Sequence, residues 1–286
     1  ALIRINPTIP AEVLDGIVKD LCRDFTGGDM KAVNYKLYQQ IRNYIKVSVR
    51  RNGKQDFDFV KLIDFDTPEN NTFTAVSQMW IEGRFNWRRP DDIIFVNGLP
   101  LVFMELKNSD VKVEEAYNRN LKSYPKDVPN LFAFNQICVL SNGFETRLGA
   151  FSATYDYFFE WLKASENEKI DRKAISENGV SLSYFADGLL PKANLIDYIE
   201  NFILFENQSI KIIAKNHQYL GVNNLIESVK DRKALAGKLG VFWHTQGSGK
   251  SLSMVFYAHL LQDELSQPTI VVITDRNDLD DQLYTQ

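Results

Sequence analysis

The chain has 286 residues, of which 44% are hydrophobic, 24% charged and 12% aromatic, with a formal net charge of −4. That balance excludes disordered, collagenous and fibrous proteins, and no apolar run approaches the roughly 18 residues that a membrane-spanning helix needs. The length sets a prior of about two domains, and the acidic balance supplies no global field for nucleic acid, so DNA contacts must come from local patches. The first residues, Ala1-Leu-Ile-Arg-Ile-Asn-Pro7, lack a signal-peptide layout and read as the start of a fragment. Cys22 and Cys138 stand far apart, each in an apolar segment, and are expected as buried free thiols, which fits a reducing cytoplasm.

In chain order, Val13, Leu14, Ile17, Val18 and Leu21 fall at helical spacing and predict a helix over 10–25. Leu37, Ile41 and Tyr44 predict a second over 34–44, with Gly27-Gly28 as the break. The pattern then turns to β-prone pieces at 45–50, 59–65 and 72–79. Two short apolar runs flank Asn97-Gly98, the strongest hairpin signal in the chain. A helix is expected over 113–124 and a strand over 137–140, closed by Asn142-Gly143. Residues 163–183 are charged and poor in large apolar groups, and read as a surface connector. Helices follow at 195–205 and 209–230, a strand at 240–243, a helix at 249–261 and a strand at 269–274. That last series opens an α/β nucleotide-binding domain.

The hairpin reads Arg89-Pro90-Asp91-Asp92 before the turn and Leu99-Pro-Leu-Val-Phe-Met-Glu105-Leu106-Lys107 after it. Side chains two apart on a strand share a face, so Glu105 and Lys107 lie together while Leu106 points into the core. A carboxylate and an ammonium on an otherwise buried strand are costly unless they are used. With an acid from the neighbouring strand they make a site for metal-dependent phosphodiester hydrolysis: two carboxylates hold Mg²⁺ and the lysine positions water and offsets developing charge. A strict two-residue loop pairs Asp91 with Met104 and puts Asp92 on the Glu105 face. A bulged, longer loop pairs Asp91 with Glu105, and the residues alone leave both registers open.

Further on, His244-Thr-Gln-Gly247-Ser248-Gly249-Lys250-Ser251 opens a predicted helix. Small residues let backbone N–H groups face phosphates at a helix N-terminus, a lysine reaches the β and γ oxygens, and a hydroxyl meets Mg²⁺. His244 stands where the general pattern has its first glycine, so the match is to the looser helicase-type loop. Gln218, on the helix before this loop, sits where such motors read adenine. Asp275-Arg-Asn-Asp-Leu279 follows the next predicted strand, where motors of this type contact nucleic acid or relay nucleotide state. No Asp-Glu-x-His segment occurs before Gln286, so ATP binding is expected of these residues and hydrolysis is not. A RecA-like sheet with unpaired strands implies marginal stability beyond about Leu239.

Together these residues resemble the R (restriction, motor) subunit of type I restriction-modification enzymes. The resemblance is carried by residues 62–71 (Leu-Ile-Asp-Phe-Asp-Thr-Pro-Glu-Asn-Asn), Arg89-Pro-Asp91, Asn97-Gly-Leu-Pro-Leu101, Glu105-Leu-Lys-Asn108, Trp243 to Ser251 and Thr274 to Leu279. It implies an α/β chain with a RecB-like PD-(D/E)xK nuclease domain over 1–162, a partly helical connector over 163–207, and a truncated RecA-like superfamily 2 motor domain over 208–286. It places the nuclease acids on Asp91 and Glu105, which favours the bulged register, and the lysine on Lys107. The Gln-x-x-x-Tyr motif of the family falls on Asn120 and Tyr124, with the shorter asparagine in place of glutamine. Gly247, Ser248, Gly249, Lys250 and Ser251 inherit the ATP and Mg²⁺ contacts, and Gln218 the adenine. The implied partners are double-stranded DNA and the methylation and specificity subunits, with no membrane. A repair helicase-nuclease and a degenerate nuclease kept as a DNA clamp are the competing readings.

Overall fold

The computed structural model describes residues 1–51, 53–83 and 86–273. Three helices begin the chain: α1 (Leu2–Ile5), α2 (Ala11–Leu21) and α3 (Met30–Asn43). The apolar spacing read from the sequence is the spacing that α2 and α3 bury, through Leu14 and Ile17 and through Leu37, Tyr38 and Ile41. The Asp29 side chain caps α3 by accepting from the Lys31 N–H. A separate antiparallel ribbon follows, β1 (Ile45–Arg51) with β2 (Lys54–Val60).

Then come β3 (Phe73–Ser77), β4 (Ile81–Glu82), β5 (Trp87–Arg88), β6 (Asp92–Val96) and β7 (Leu99–Leu106). The chain crosses over through α4 (Val113–Glu115), a π-helical turn at Ala116–Leu121, α5 (Tyr124–Asp127) and α6 (Pro129–Phe134). It returns as β8 (Ile137–Ser141), β9 (Thr146–Gly149) and β10 (Phe159–Glu160). Six of these strands form one sheet in the order β10-β9-β8-β7-β6-β3, in which only the β7–β8 pair is parallel. A parallel neighbour requires a crossover, and the short helices between β7 and β8 are that crossover. They cover one face of the sheet, where Ile93, Phe103, Cys138 and Leu140 pack against Val113, Tyr124 and Phe132. On the other face Val102, Met104, Ile137 and Val139 join a second core with Leu37, Tyr38 and Ile41.

The remaining elements are α7 (Arg172–Asn178), α8 (Ser181–Leu189), α9 (Lys192–Asn201), β11 (Ile203–Glu206), β12 (Ile210–Ile213), α10 (Asn216–Lys230) and α11 (Lys250–Glu264). Several expectations are corrected here. Of the two thiols expected to be buried, Cys138 is buried and Cys22 is exposed. The segment 163–183 read as connector carries α7 and the start of α8. The two helices expected over 195–230 are interrupted by an antiparallel hairpin, β11 with β12, turned by Asn207 and Gln208 at φ 49° and 59°. The strand expected at 59–65 lies earlier, as β2. Residues 240–243 and the described part of 269–274 are not strands. Parallel strands exist only with hydrogen-bonded neighbours, and no described strand lies beside these segments. Val241, Trp243 and Ile273 are accordingly exposed.

Candidate functional site

The hairpin β6–β7 turns through Asn97 and Gly98, at φ 52° and 87°, the left-handed pair of a two-residue turn. A bulge between Ile94 and Phe95 then shifts the register: Phe95 pairs with Pro100, but Ile94 with Val102 and Asp92 with Met104. Continued one residue, that register sets Asp91 opposite Glu105. The hairpin therefore combines a two-residue turn with a bulge, features that the sequence reading had set against each other. Asp91 reaches across the strand: its Oδ2 accepts from the Leu106 N–H at 2.7 Å, and its Oδ1 from Gln78 Nε2 at 2.7 Å. Asp92 points elsewhere and accepts from the Ser77 hydroxyl on β3.

Glu105 is buried at 3% exposure. Its Oε1 accepts from Lys107 Nζ at 2.8 Å, while Oε2 is buried without a hydrogen-bond partner. Burial pushes this carboxyl up to about 7, against the opposing pull of Lys107, and the charge of Asp91 raises it further. Leu106 packs into the core on the opposite side of the strand. The parallel ladder continues past it, with the Lys107 N–H donating to the Ser141 carbonyl at 2.8 Å.

Tyr124 begins α5, buried beneath this face. Its ring lies edge-on to Phe103 at 5.4 Å, and Arg88 stands over it at 5.3 Å. Burial raises the Tyr124 hydroxyl above its ordinary value, and the neighbouring Glu105 charge adds to this, whereas a hydrogen bond from Asn120 opposes it. The Tyr124 hydroxyl lies 3.5 Å from the Arg89 carbonyl oxygen. Gln78 and Arg88 were missed by the sequence reading. Nothing in periodicity marks Gln78, although Arg88 directly precedes the quoted Arg89-Pro90-Asp91. Residues 62–71 prove architectural: Asn71 Oδ1 accepts from the Asp64 N–H at 2.8 Å and from Asn97 Nδ2 at 2.8 Å, tying this loop to the hairpin turn.

Among the described residues no group of three or more histidine, cysteine or acidic side chains could hold a metal ion. Two carboxylates, one with an unpartnered buried oxygen, nevertheless suit a hard cation that keeps much of its shell as water and substrate oxygen.

A second cluster surrounds the phosphate-type loop. Gly247 and Gly249 adopt φ 78° and 89°, where an L side chain is strained. A Cβ at Gly249 would also lie 2.7 Å from Gln218 Nε2. Lys250 opens α11 and donates to the His244 and Thr245 carbonyls at 2.8 and 3.0 Å. Gln218, 1% exposed, donates to the Gly249 carbonyl at 2.9 Å and accepts from the Lys215 N–H at 2.8 Å. His217 contacts the Ser248 carbonyl at 3.0 Å. The Ser248 hydroxyl is buried without a partner, and Ser251 follows in the first turn of α11. The 274–279 motif lies outside the described residues.

Residues 1–157 match the family model described as type I restriction enzyme R protein N terminus. The chain belongs to this family. Residues 217–286 match the SWI2/SNF2 ATPase model. The chain is 41% identical over 296 aligned positions to the type I restriction enzyme HindI endonuclease subunit of Haemophilus influenzae, covering 99% of this chain and 28% of that protein. It is 32% identical over 314 positions to the putative type I restriction enzyme MjaIXP endonuclease subunit of Methanocaldococcus jannaschii, covering 99% and 29%. A Staphylococcus aureus relative, the SauCOLORF180P endonuclease subunit, is 27% identical over 241 positions, covering 83% and 24%. The chain thus spans less than a third of the length of these relatives. No helix among the described residues is long and apolar enough to cross a membrane.

Proposed function

We propose that this chain forms the nuclease and ATP-binding part of a type I restriction endonuclease subunit. The observation that carries the reading is Glu105: a buried carboxylate with one free oxygen, set by a bulge opposite Asp91 and held by Lys107 on its own strand face. In this reading Asp91 and Glu105 hold Mg²⁺, which supplies charge neutralisation and an acidified water. Lys107 keeps Glu105 in place and presents an ammonium to the phosphodiester as charge builds on its oxygens. Gln78 and the Leu106 N–H orient Asp91. Tyr124, with Asn120 on its hydroxyl, supports the same face and guides the DNA strand.

Residues 1–162 then constitute a RecB-like PD-(D/E)xK domain, 163–207 a connector, and 208–286 the beginning of a RecA-like motor. ATP would be held by the backbone of 247–249, by Lys250, which would supply positive charge to its phosphates, and by Gln218 at the adenine, and its Mg²⁺ would be held by Ser251. The partners in this reading are double-stranded DNA and the methylation and specificity subunits, which read the site that this acidic chain does not.

Calorimetric titration of Mn²⁺ tests the centre. Binding is expected to disappear in Asp91→Ala and Glu105→Ala and to persist in Asp92→Ala, each variant keeping its circular dichroism spectrum. Loss in Asp92→Ala with retention in Asp91→Ala would overturn the assignment.

A further inference from the structure

Just ahead of Asp91 two tryptophans stand in solvent, Trp80 at 60% and Trp87 at 56% exposure. Indole is the largest apolar side chain, and two left open at one place mark a contact surface. Trp87 lies in β5 and Trp80 directly precedes β4, in the short ribbon where Ile81 pairs with Arg88 and Glu82 with Trp87. That register sends 81 and 88 to one face of the ribbon and 82 and 87 to the other, and continued one residue it adds 80 and 89 to the second face.

The inner face is anchored. Arg88 Nε donates to Asp127 Oδ2 at 2.7 Å and Asn86 Nδ2 to Asp127 Oδ1 at 3.1 Å. Gly83 lies so close to α5 that a Cβ there would sit 2.1 Å from the Asp127 carbonyl oxygen. The outer face carries Trp80, Trp87 and Arg89, with one acid, Glu82. The Arg89 guanidinium lies 5.1 Å from the Trp80 ring centre, which holds both groups in one orientation. The segment leading into the ribbon is bound to Asp91 itself, through the Gln78 N–H to the Asp91 carbonyl at 2.8 Å and the Gln78 side chain to the Asp91 carboxylate at 2.7 Å. The segment that enters the aromatic face is therefore tied to the candidate metal acid.

We propose that the outer face of this ribbon positions the substrate strand. Trp80 and Trp87 stack on unpaired bases flanking the cleavage site, and Arg89 meets a backbone phosphate of the same stretch. The proposal rests on the nuclease reading. Within a duplex every base face is covered by its neighbours, so a stacking indole favours DNA that is locally opened. Stacking also tolerates any sequence, which suits a cleaving domain that does not read its site.

The test uses the 286-residue chain without metal and measures fluorescence anisotropy of a labelled duplex carrying a short unpaired bubble, beside the same duplex fully paired. Trp80→Ala and Trp87→Ala are each expected to weaken bubble binding by roughly 5- to 150-fold, and to weaken paired-duplex binding less. Trp80→Phe and Trp87→Phe are expected to recover most of the affinity. Phe57→Ala and Phe59→Ala, on the separate ribbon and exposed to a similar degree, should leave it unchanged. Unaltered affinity in both alanine variants, or no binding of either DNA by the unmodified chain at low salt, overturns the proposal. The Mn²⁺ titration reports separately on the nuclease reading. Metal binding that depends on Asp91 while the tryptophans prove inert removes the ribbon and keeps the nuclease. DNA binding that needs the tryptophans without any metal binding overturns both the nuclease reading and the substrate-positioning role, leaving a ribbon that only contacts DNA.

Discussion

At Glu105 a carboxylate with 3% exposure lies between Lys107 on its own strand and Asp91 opposite. Its ordinary value of 4.5 is pushed up to about 7, chiefly by burial. A carboxyl raised in the folded state favours folding when protonated. Its contribution is complete below about 4.5 and is lost as pH rises through about 7. In metal-free chain this group should remove on the order of 3 kcal/mol between pH 4.5 and pH 8. Urea unfolding in EDTA at pH 5 and pH 8 checks this: Glu105→Gln should narrow the gap between the two, and an equal gap in both proteins would refute it. For Lys107 the expectation concerns rate. Lys107→Ala in the reconstituted restriction complex should cut DNA cleavage by about 10²- to 10³-fold while Mn²⁺ binding survives. A loss of metal binding of the same size would mean that Lys107 acts only by holding Glu105.

Among the elements, the β6–β7 hairpin sets the distance between the two acids, and Asn97 sets the hairpin. It occupies a left-handed position at φ 52°, accepts from the Thr72 N–H at 2.8 Å and donates to the Leu62 carbonyl at 2.9 Å and to Asn71 Oδ1 at 2.8 Å. Asn97→Ala deletes these bonds and leaves a β-carbon in a disfavoured conformation. It should cost about 2 to 3 kcal/mol in chemical denaturation. It should also weaken Mn²⁺ binding, because the bulged register loses its anchor. Unchanged stability would show that the bulge alone holds the register. Other elements left weaker traces. The β11–β12 hairpin turns on Asn207-Gln208, a pair without the glycine that usually marks such a turn, and its apolar strands merge into the helical pattern on either side.

Over the whole molecule, one apolar cluster joins the N-terminal helices to the later ones. Phe202 meets Tyr219 at 4.8 Å and Phe256 at 5.5 Å, Tyr198 meets Tyr219 at 5.3 Å, and the Tyr38 hydroxyl donates to the Ile199 carbonyl at 3.0 Å. Phe256 is fully buried, so α11 is docked, whereas the segment between α10 and α11 has neither helix nor strand and exposes Val241 and Trp243. Limited trypsin digestion should therefore cut first near Arg232, Lys233 or Lys238 and leave a product spanning the earlier residues. A nonhydrolysable ATP analogue with Mg²⁺ should slow that cut by ordering the neighbouring loop. Full protection of residues 231–249 without nucleotide would contradict this account.

The sequence by itself determined the period-setting features: the apolar stripes of α2 and α3, the Asn-Gly turns, the shared face of Glu105 and Lys107, and the glycines before Lys250. Each depends on contacts within a few residues, where backbone geometry and spacing suffice. It also carried the family resemblance, through motifs too numerous to coincide by chance. Only the tertiary structure decided the register that faces Asp91 with Glu105, the unpartnered Glu105 oxygen, the Gln78 contact and the anchoring of the tryptophan ribbon on α5. Those depend on segments distant along the chain, such as Arg88 with Asp127 or Asn71 with Asn97, and on burial, which one strand alone cannot specify. The strands expected at 240–243 and 269–274 belong to the same class. A parallel strand is made by its neighbours, and local apolar character does not supply them.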